Sequence, residues 1–299
     1  MRFAKGHGTG NDFVIVPDYE GRIELSPELV ARICDRHFGV GADGVLRVVR
    51  TLAAGGVTEG LARTDAEGAG AAEWFMDYRN SDGSVAEMCG NGVRVFVRWL
   101  LAEGLAAGPE VAVVTRAGVR VVRAEADGQF TVDMGPAVVL GDGAVQAGDL
   151  RLDGVAISVG NPHLACLVDE PVAAIDLSAP ALLGPEALLD GANVEVVRIL
   201  GPHEIEMRVH ERGSGLTLSC GTGAVAAAVA AAVAAGEWPD GPAAPWTVHV
   251  PGGRLAVTPS ATASLLTGPA EFVAEGELSD SLSSPQGEAW LLGSAAQGA

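Results

Sequence analysis

Lysine is almost absent from this 299-residue sequence: Lys5 is the single example, and the other strongly basic residues are all arginines. An enzyme that uses pyridoxal phosphate holds it through a Schiff-base lysine, a role that would here fall on a residue next to the N-terminus. A phosphate-binding loop of the GxxxxGK[ST] type is excluded, because no glycine precedes Lys5. The scarcity of lysine therefore argues against two large classes of cofactor and nucleotide chemistry.

The cysteines and the charge balance exclude further classes. The four cysteines, Cys34, Cys89, Cys166 and Cys220, form no CxxC pair, so the ligand spacing typical of a metal site is absent. The chain carries 38 acidic and 19 basic side chains, a formal net charge of −19, which argues against nucleic acid as a partner because nucleic acids bind basic surfaces. Hydrophobic residues nevertheless make up 48 %, which is enough for a large core and excludes a disordered acidic chain.

Long apolar runs are also missing. The first residues, MRFAKGHGTGNDF, lack the apolar stretch of a secretory signal, so we expect a cytoplasmic protein with reduced thiols. The most apolar stretch, residues 224–235, is twelve residues of alanine and valine. Because a membrane-spanning helix needs about 20 residues, this stretch predicts a helix buried in a protein core, and no membrane partner.

Short β-branched or alternating apolar runs bounded by Gly, Asp and Asn recur along the chain and predict strands. They lie at residues 13–16, 45–49, 74–80, 111–114, 119–123, 130–134, 164–168, 194–199, 205–211 and 255–258. Helices are predicted only at residues 27–37, 92–103, 185–189 and 223–235, which favours an α+β or mostly-β fold. Residues 53–72 predict a long loop, and residues 279–299 predict a disordered tail.

The two halves of the chain share a pattern. Cys89 and Cys220 each begin a Cys-Gly-x-Gly motif that opens an apolar helix. A polar residue ends a strand-like run nine positions before each cysteine, and a Gly-Asn pair precedes a strand in each half. The polar residues before the cysteines are Asn80 and Glu211, and the asparagines of the two Gly-Asn pairs are Asn11 and Asn161. A repeated order of strand, turn, motif and helix predicts a duplicated fold of two lobes.

The surroundings of the two motif cysteines suit acid–base chemistry. The glycines let the first N–H groups of each helix approach a ligand, and the helix dipole there favours a carboxylate and a thiolate. Two such helix starts facing each other would hold one carboxylate and place a sulfur on either face of the adjacent carbon. One thiolate could then remove a proton while the other thiol donates one.

Simpler interpretations stay open at this stage for single residues. Cys34 and Cys166 are expected to be small apolar core residues, and a structural disulfide is an alternative for the motif cysteines. His163 is either a hydrogen-bonded loop histidine or a group that tunes a thiol, and Asn193 alone would indicate a turn. Glu211 and Arg212 form either a surface ion pair or, given the cysteine that follows, part of a substrate site.

From residue 3 to about residue 276 the sequence resembles the diaminopimelate epimerase family. The motifs that carry the resemblance are ordered along the chain: Gly8-Thr9-Gly10-Asn11-Asp12-Phe13, Arg36-His37-Phe38-Gly39-Val40-Gly41-Ala42-Asp43-Gly44, Asn80-Ser81-Asp82-Gly83-Ser84, Met88-Cys89-Gly90-Asn91-Gly92-Val93-Arg94, Gly160-Asn161-Pro162-His163, Gly191-Ala192-Asn193-Val194, Glu211-Arg212-Gly213-Ser214-Gly215 and Ser219-Cys220-Gly221-Thr222-Gly223-Ala224. So many motifs in one order make the resemblance highly specific.

The resemblance implies an α+β fold of two pseudo-symmetric lobes, each a mostly antiparallel, β-barrel-like sheet wrapped around a central helix. We expect an N-terminal lobe at residues 1–126, to which residues 272–278 return, a C-terminal lobe at residues 127–271 and the tail at 279–299. The implied activity is isomerisation of LL-2,6-diaminopimelate to the meso form by a Cys/Cys two-base mechanism in lysine and peptidoglycan precursor biosynthesis. No cofactor and no metal are implied, and the family is usually homodimeric.

The resemblance also assigns roles to residues. Cys89 and Cys220 become the catalytic acid/base pair, and His163 and Glu211 are expected to tune their pKa values. The residues implied in binding the small-molecule substrate, diaminopimelate, are Asn11, Asn80, Gly90, Asn91, Asn161, Asn193, Glu211, Arg212, Gly221 and Thr222.

Two positions depart from the family pattern, and neither belongs to the proton-transfer pair. Gly44 stands where some members carry a glutamine, so one side-chain contact is missing or replaced. Leu216 stands where a glutamate is common, which we expect to change local hydrogen bonding more than chemistry.

Three other functions compete with epimerisation of diaminopimelate. Proline and hydroxyproline racemases also use paired cysteines, but they usually have a histidine where this chain has Asn91, and the Glu211-Arg212 pair favours a substrate with two charged ends. A non-catalytic binding protein would tolerate loss of either cysteine. A thiol-redox protein would need the two cysteines to cycle through a disulfide.

Overall fold

Eighteen strands and three α-helices are found in the part of the chain that the computed structural model describes, residues 1–55, 72–184, 188, 191–240, 244–279 and 282. The helices are α1 (Pro27–Cys34), α2 (Gly90–Ala102) and α3 (Gly221–Ala234), with 3₁₀ turns at Thr51–Ala53 and Val172–Ala174. The strands are β1 (Arg2–Gly8), β2 (Asn11–Pro17), β3 (Gly44–Arg50), β4 (Trp74–Asn80), β5 (Glu110–Thr115), β6 (Gly118–Ala124), β7 (Phe130–Gly135), β8 (Val138–Ala147), β9 (Leu150–Ser158), β10 (Pro162–Leu167), β11 (Ala181–Leu182), β12 (Asn193–Gly201), β13 (Glu204–Glu211), β14 (Gly215–Thr217), β15 (Trp246–Val250), β16 (Gly253–Thr258), β17 (Ser264–Gly268) and β18 (Glu271–Glu277).

Strand pairing repeats in the two halves. From β1 to β7 each strand pairs with the next, and β2–β3 and β4–β5 are parallel while the other pairs are antiparallel. The series β9, β10, β12, β13, β15, β16 and β17 shows the same order of antiparallel and parallel pairs. Strand β18 adds to β1 as β8 adds to β9, and β7 pairs with β17 where the halves join. The prediction of an α+β fold with two pseudo-symmetric lobes is confirmed.

Each lobe wraps its sheet around one helix. Helix α2 contacts every strand from β1 to β7, and α3 contacts β9, β10, β12, β13, β15, β16 and β17. Residues 223–232 of α3 are all buried, and they are only glycine, alanine and valine, so strands can approach the helix on every side. No helix in the described ranges is long and apolar enough to cross a membrane.

The observed elements differ from the predicted ones in instructive ways. Helices α2 and α3 begin two residues earlier than predicted, because each cysteine is the N-cap and the first glycine is already helical. Strand β1 was not predicted, since its glycines weaken the pattern; at Gly6 a Cβ would lie 2.7 Å from the carbonyl oxygen of Glu271 in β18. The predicted helix at 185–189, loop at 53–72 and tail at 279–299 lie almost wholly outside the described residues.

A buried charge cluster ties together the strands that lead into the cysteine motif of the first lobe. The Asp77 carboxylate in β4 pairs with the guanidinium groups of Arg47 (2.9 Å), Arg79 (2.9 Å) and Arg116 (2.6 Å), and its side chain is 1 % exposed. Burial raises the pKa of Asp77, but the hydrogen bonds from Arg79 and Arg116 outweigh it, so the pKa lies below its ordinary value. The ionised carboxylate is therefore the shared partner of three mostly buried guanidinium groups.

We expect Asp77→Asn to lower the free energy of unfolding by about 3–5 kcal/mol, because it leaves the mostly buried Arg79 and Arg116 without an ion-pair partner among the described residues and leaves Arg47 with Asp18 alone. Urea denaturation measures the change. Asp153→Asn is the matched control, since Asp153 and its partner Arg151 are 80 % and 66 % exposed and the loss should be below about 1 kcal/mol. Because the folded pKa of Asp77 is lowered, its contribution is present above the unfolded pKa and is lost as the pH falls through the folded one. Equal losses in the two variants would contradict this account.

Candidate active site

The first turns of α2 and α3 meet between the lobes. Cys89 and Cys220 are their N-caps, and a Cβ placed on Gly221 would lie only 3.3 Å from the Cα of Gly90. Leu266 of β17 packs against both glycines, 3.1 Å and 3.2 Å from the positions where a Cβ would be. Two side chains of any size could not stand at these positions, so the glycines are what allow the helix starts to touch.

A cleft of about 940 Å³ opens at this junction. It is lined by the following predicted site residues: Asn11, Asn80, Cys89, Gly90, Asn91, Asn161, Asn193, Glu211, Arg212, Cys220, Gly221 and Thr222. His163 is the one predicted site residue that does not line it; the ring is fully buried behind Asn161. The structure thus brings together residues that lie more than 200 positions apart in the chain.

Cys89 sits among groups that stabilise negative charge. Its Sγ accepts a hydrogen bond from the Gly92 N–H (3.3 Å) and lies 3.6 Å from Oδ1 of Asn11, to which the thiol can donate. Burial, and then the charge of Glu211, raise the pKa of Cys89 to about 11, while the N–H groups of Gly92 and Asn91 and the Arg94 guanidinium act in the opposite direction. Cys89 is therefore a thiol in the empty site, but one with a cation and helix N–H groups close by.

Cys220 sits among carboxylates. Its Sγ lies 3.5 Å from the Thr222 hydroxyl, and the side chain is almost fully buried. Burial, and then the charges of Glu211 and Glu195, raise the pKa of Cys220 well above its ordinary value. Glu211 therefore raises the pKa of both thiols, whose backbone settings match, while Arg94 acts on Cys89 and Glu195 acts on Cys220.

Arg94 provides the cation on the Cys89 side. The side chain is fully buried, and its guanidinium donates to the carbonyl oxygens of Gly90 (3.2 Å) and Pro269 (3.2 Å) and to Oδ1 of Asn91 (2.9 Å). No carboxylate pairs with it among the described residues. Burial lowers the pKa of Arg94 to about 10, so the group still carries its charge at neutral pH.

An amide network connects the two helix starts. Nδ2 of Asn91 donates to Oδ1 of Asn11 (3.2 Å) and to the carbonyl oxygen of Ser219 (3.1 Å), the residue before Cys220. Asn11 is held in turn by Asp43, whose carboxylate accepts from its Nδ2 at 2.8 Å. The cysteine motif of one lobe is thereby fixed to the chain that enters the motif of the other.

His163 is connected to the cleft through two hydrogen-bonded neighbours. Its Nδ1 lies 2.7 Å from Oε1 of Glu195, and its Nε2 lies 3.0 Å from Oδ1 of Asn161, which faces the cleft. Burial raises the pKa of Glu195, and the hydrogen-bonded His163 opposes that shift. The pair positions Asn161 and brings a buried carboxyl close to Cys220.

The remaining polar residues form a second wall of the cleft. Asn193 Oδ1 accepts from the Arg212 backbone N–H at 2.9 Å, and the exposed Arg212 guanidinium donates to the Gly191 carbonyl oxygen at 3.2 Å. The carboxylate of Glu211 accepts from the Thr217 hydroxyl, and burial raises the pKa of Glu211. Asn80 Nδ2 donates to the Ser84 hydroxyl at 3.0 Å.

Sequence reasoning missed Glu195, Asp43, Ser219 and Tyr78. Glu195 lies inside the predicted strand at 194–199, and the structure buries it fully. A carboxyl group among valines in a strand indicates a functional role, since carboxyl groups are rarely buried without a partner. Tyr78 fills the space next to Gly44, because a Cβ on Gly44 would lie 2.7 Å from its ring. We expected a side-chain contact at Gly44 to be missing or replaced, and the side chain next to Gly44 is that of Tyr78, which lines the cleft. Leu216, the other departure, is half exposed and also lines it.

The other two cysteines lie in the core, as predicted. Cys34 is the last residue of α1 and Cys166 lies in β10, and burial raises the pKa of each to about 12. All four cysteines are free, so the alternative of a structural disulfide is not what the structure shows. Among the described residues no group of three His, Cys, Asp or Glu side chains could hold a metal ion.

We expect Glu211→Gln to lower the pKa of the Cys220 thiol, because it removes a carboxylate whose charge opposes the thiolate. Alkylation of Cys220 by iodoacetamide at mildly alkaline pH, followed by peptide mass spectrometry, should then become faster. Glu206→Gln, on the same strand but paired with Arg198, is the control and should leave the rate unchanged. An unchanged or slower rate in Glu211→Gln would show that this carboxylate does not control the thiol.

Comparison with known proteins agrees with the resemblance seen in the motifs. The family model described as diaminopimelate epimerase matches residues 3–140 and 155–273. A diaminopimelate epimerase of Thermobifida fusca (strain YX) is 56 % identical over 278 residues, covering 93 % of this chain and 98 % of the relative. One of Mycobacterium tuberculosis (strain ATCC 25177 / H37Ra) is 48 % identical over 288 residues, covering 94 % and 98 %.

Solved structures share the fold at much lower identity. A probable proline racemase from Agrobacterium radiobacter K84 has a TM-score of 0.64 at 17 % identity, covering 93 % of this chain and 92 % of that one. A hydroxyproline epimerase from Agrobacterium vitis has a TM-score of 0.61 at 15 % identity, covering 92 % and 91 %. These likenesses show the two-lobed fold alone. The family match and the close relatives go further, and the chain belongs to the diaminopimelate epimerase family.

Proposed function

We propose that this chain converts LL-2,6-diaminopimelate to the meso isomer in the cleft between its lobes, using Cys89 and Cys220 as the two bases and no cofactor. The observation that carries the proposal is that each cysteine caps a helix whose first turn touches that of the other. Family membership supports the substrate, and the geometry supports the mechanism.

The carboxylate next to the reacting carbon is proposed to bind at the joined helix starts. The N–H groups of Gly90, Asn91, Gly221 and Thr222 lie in the first turns, where they have no partner within the helix. Two helix dipoles with their positive ends at one point favour an anion there. A carboxylate held at this point leaves the carbon beside it between the two sulfurs.

The proposed reaction moves one proton at each face of that carbon. A thiolate takes the proton as the C–H bond breaks, and the electron pair passes into the carboxylate, giving an enediolate-like species. The opposite thiol then donates its proton to the other face, so the thiolate and thiol have exchanged places and the reverse reaction uses them in the opposite order. The cation of Arg94 favours the thiolate at Cys89 and the carboxylate of Glu195 favours the protonated thiol at Cys220, while Glu211 favours the protonated thiol at both.

The far end of a doubly zwitterionic substrate needs both a cation and acceptors. Arg212 supplies an exposed guanidinium with no ion-pair partner among the described residues, and Asn80, Asn161 and Asn193 supply amides in the same cleft. Glu211 offers a carboxylate for an ammonium group. A substrate such as proline, which has only one amino and one carboxylate group, would leave Arg212 and these amides without a ligand group to bind. The wall therefore favours diaminopimelate over proline.

The wider setting is proposed from the family. We propose that the enzyme is a cytoplasmic homodimer that supplies lysine and peptidoglycan synthesis, with lobes at residues 1–126 plus 272–278 and at 127–271. His163 is proposed to tune the thiols through Glu195 and Asn161.

We expect Cys89→Ala and Cys220→Ala each to lower the rate of epimerisation by at least about 100-fold, because each removes one of two required proton-transfer groups. Exchange of the α-hydrogen of LL-diaminopimelate in D₂O, followed by NMR, measures the reaction directly. Cys34→Ala, at a buried thiol outside the cleft, is the matched control and should keep its activity.

The same exchange assay run with proline separates the substrates, and no exchange is expected. Full activity of either cysteine variant would contradict the two-base mechanism. Exchange of proline but not diaminopimelate would contradict the substrate.

A further inference from the structure

Tyr78 is fixed at the back of the cleft by packing. It lies in β4, two residues before Asn80, and only 8 % of it is exposed. Its ring stands edge-on to Phe13, with centroids 5.8 Å apart and an interplanar angle of 79°, and it covers the backbone of Gly44. The ring therefore has little freedom to turn away from the cleft that it lines.

The hydroxyl of Tyr78 lacks a partner within the described part of the chain. None of the hydrogen bonds found there involves it, and it is not among the unpaired polar atoms sealed in the interior. A hydroxyl that is neither bonded nor sealed on a residue this deeply buried must open into the cleft. Buried tyrosines usually bond their hydroxyl, so this donor is available to a ligand.

The neighbours of Tyr78 determine what it can bind. Burial, and then the negative charges that Cys89, Glu211, Asp43 and Cys220 can carry, raise the pKa of Tyr78 well above its ordinary value. The phenol is therefore protonated at neutral pH. It places a neutral hydrogen-bond donor close to both cysteines, beside two carboxylates that would attract an ammonium group.

We infer that the Tyr78 hydroxyl donates a hydrogen bond to the carboxylate of the reacting carbon. This inference rests on the proposed function and adds a side-chain ligand to the N–H groups of the two helix starts. Negative charge on that carboxylate grows as the proton leaves the adjacent carbon. A donor fixed in place before the reaction stabilises the growing charge more than the ground state, so it acts mainly on the rate.

The chain offers a matched pair of variants, because it contains only two tyrosines. Tyr78→Phe removes the hydroxyl and keeps the ring that packs on Phe13. Tyr19→Phe does the same at a residue that stands edge-on to Trp74 at 5.5 Å and does not line the cleft. We expect Tyr78→Phe to lower kcat/KM for LL-diaminopimelate by about 10- to 100-fold, mostly through kcat, and Tyr19→Phe to change neither constant. Wild-type kcat and KM in Tyr78→Phe would overturn the inference.

A binding measurement covers the case in which Tyr78→Phe folds poorly. In Tyr19→Phe enzyme Tyr78 is the remaining tyrosine, so diaminopimelate should produce a tyrosine ultraviolet difference spectrum. A ligand that binds without this signal would overturn the contact.

The outcomes separate this inference from the proposed function. An inactive Cys89→Ala enzyme alongside a fully active Tyr78→Phe enzyme rejects the role of Tyr78 and leaves the two-base mechanism standing. Retained activity in Cys89→Ala rejects the mechanism, while the difference spectrum still reports whether Tyr78 contacts the ligand.

Discussion

The contact between the first turns of α2 and α3, at Gly90 and Gly221, is the constraint on which the rest of the structure depends. It requires two helices to point their positive ends at each other, which is unfavourable unless an anion or a ring of acceptors lies there. The duplicated lobes provide that arrangement, since each wraps its sheet around one helix and β7 joins β17 beside the contact. The cleft, its charge preference and the placement of both thiols all follow from this contact.

Symmetry of the backbone and asymmetry of the charges serve different purposes. In the proposed mechanism, matching N-caps give the two sulfurs equivalent access to opposite faces of one carbon. Arg94 beside Cys89 and Glu195 beside Cys220 make the surroundings of the two thiols unequal, while Glu211 raises the pKa of both. The guanidinium of Arg94 fits because Gly8 and Gly268 lack side chains; a Cβ at either would lie 2.9 Å or 3.3 Å from it.

Local sequence patterns predicted much of this site, and long-range contacts explain what they missed. Cys89, Cys220 and the asparagines stand in short motifs at turns and helix starts, where a few neighbouring residues determine the backbone. Glu195 and Tyr78 lie within strands, so their function depends on which residues the other strands bring against them, and one sequence does not show that. Strands β1, β8 and β18 escaped prediction for a related reason, because their glycines and charged residues obscure the alternation of a strand.

The central claim concerns where the reacting carboxylate binds, and a crystal structure with a non-reactive diaminopimelate analogue tests it most directly. We predict that one carboxylate lies within hydrogen-bond distance of the N–H groups of Gly90, Asn91, Gly221 and Thr222, with the adjacent carbon between the sulfurs of Cys89 and Cys220. A carboxylate bound away from the helix starts, or both sulfurs on one face of that carbon, would contradict the account.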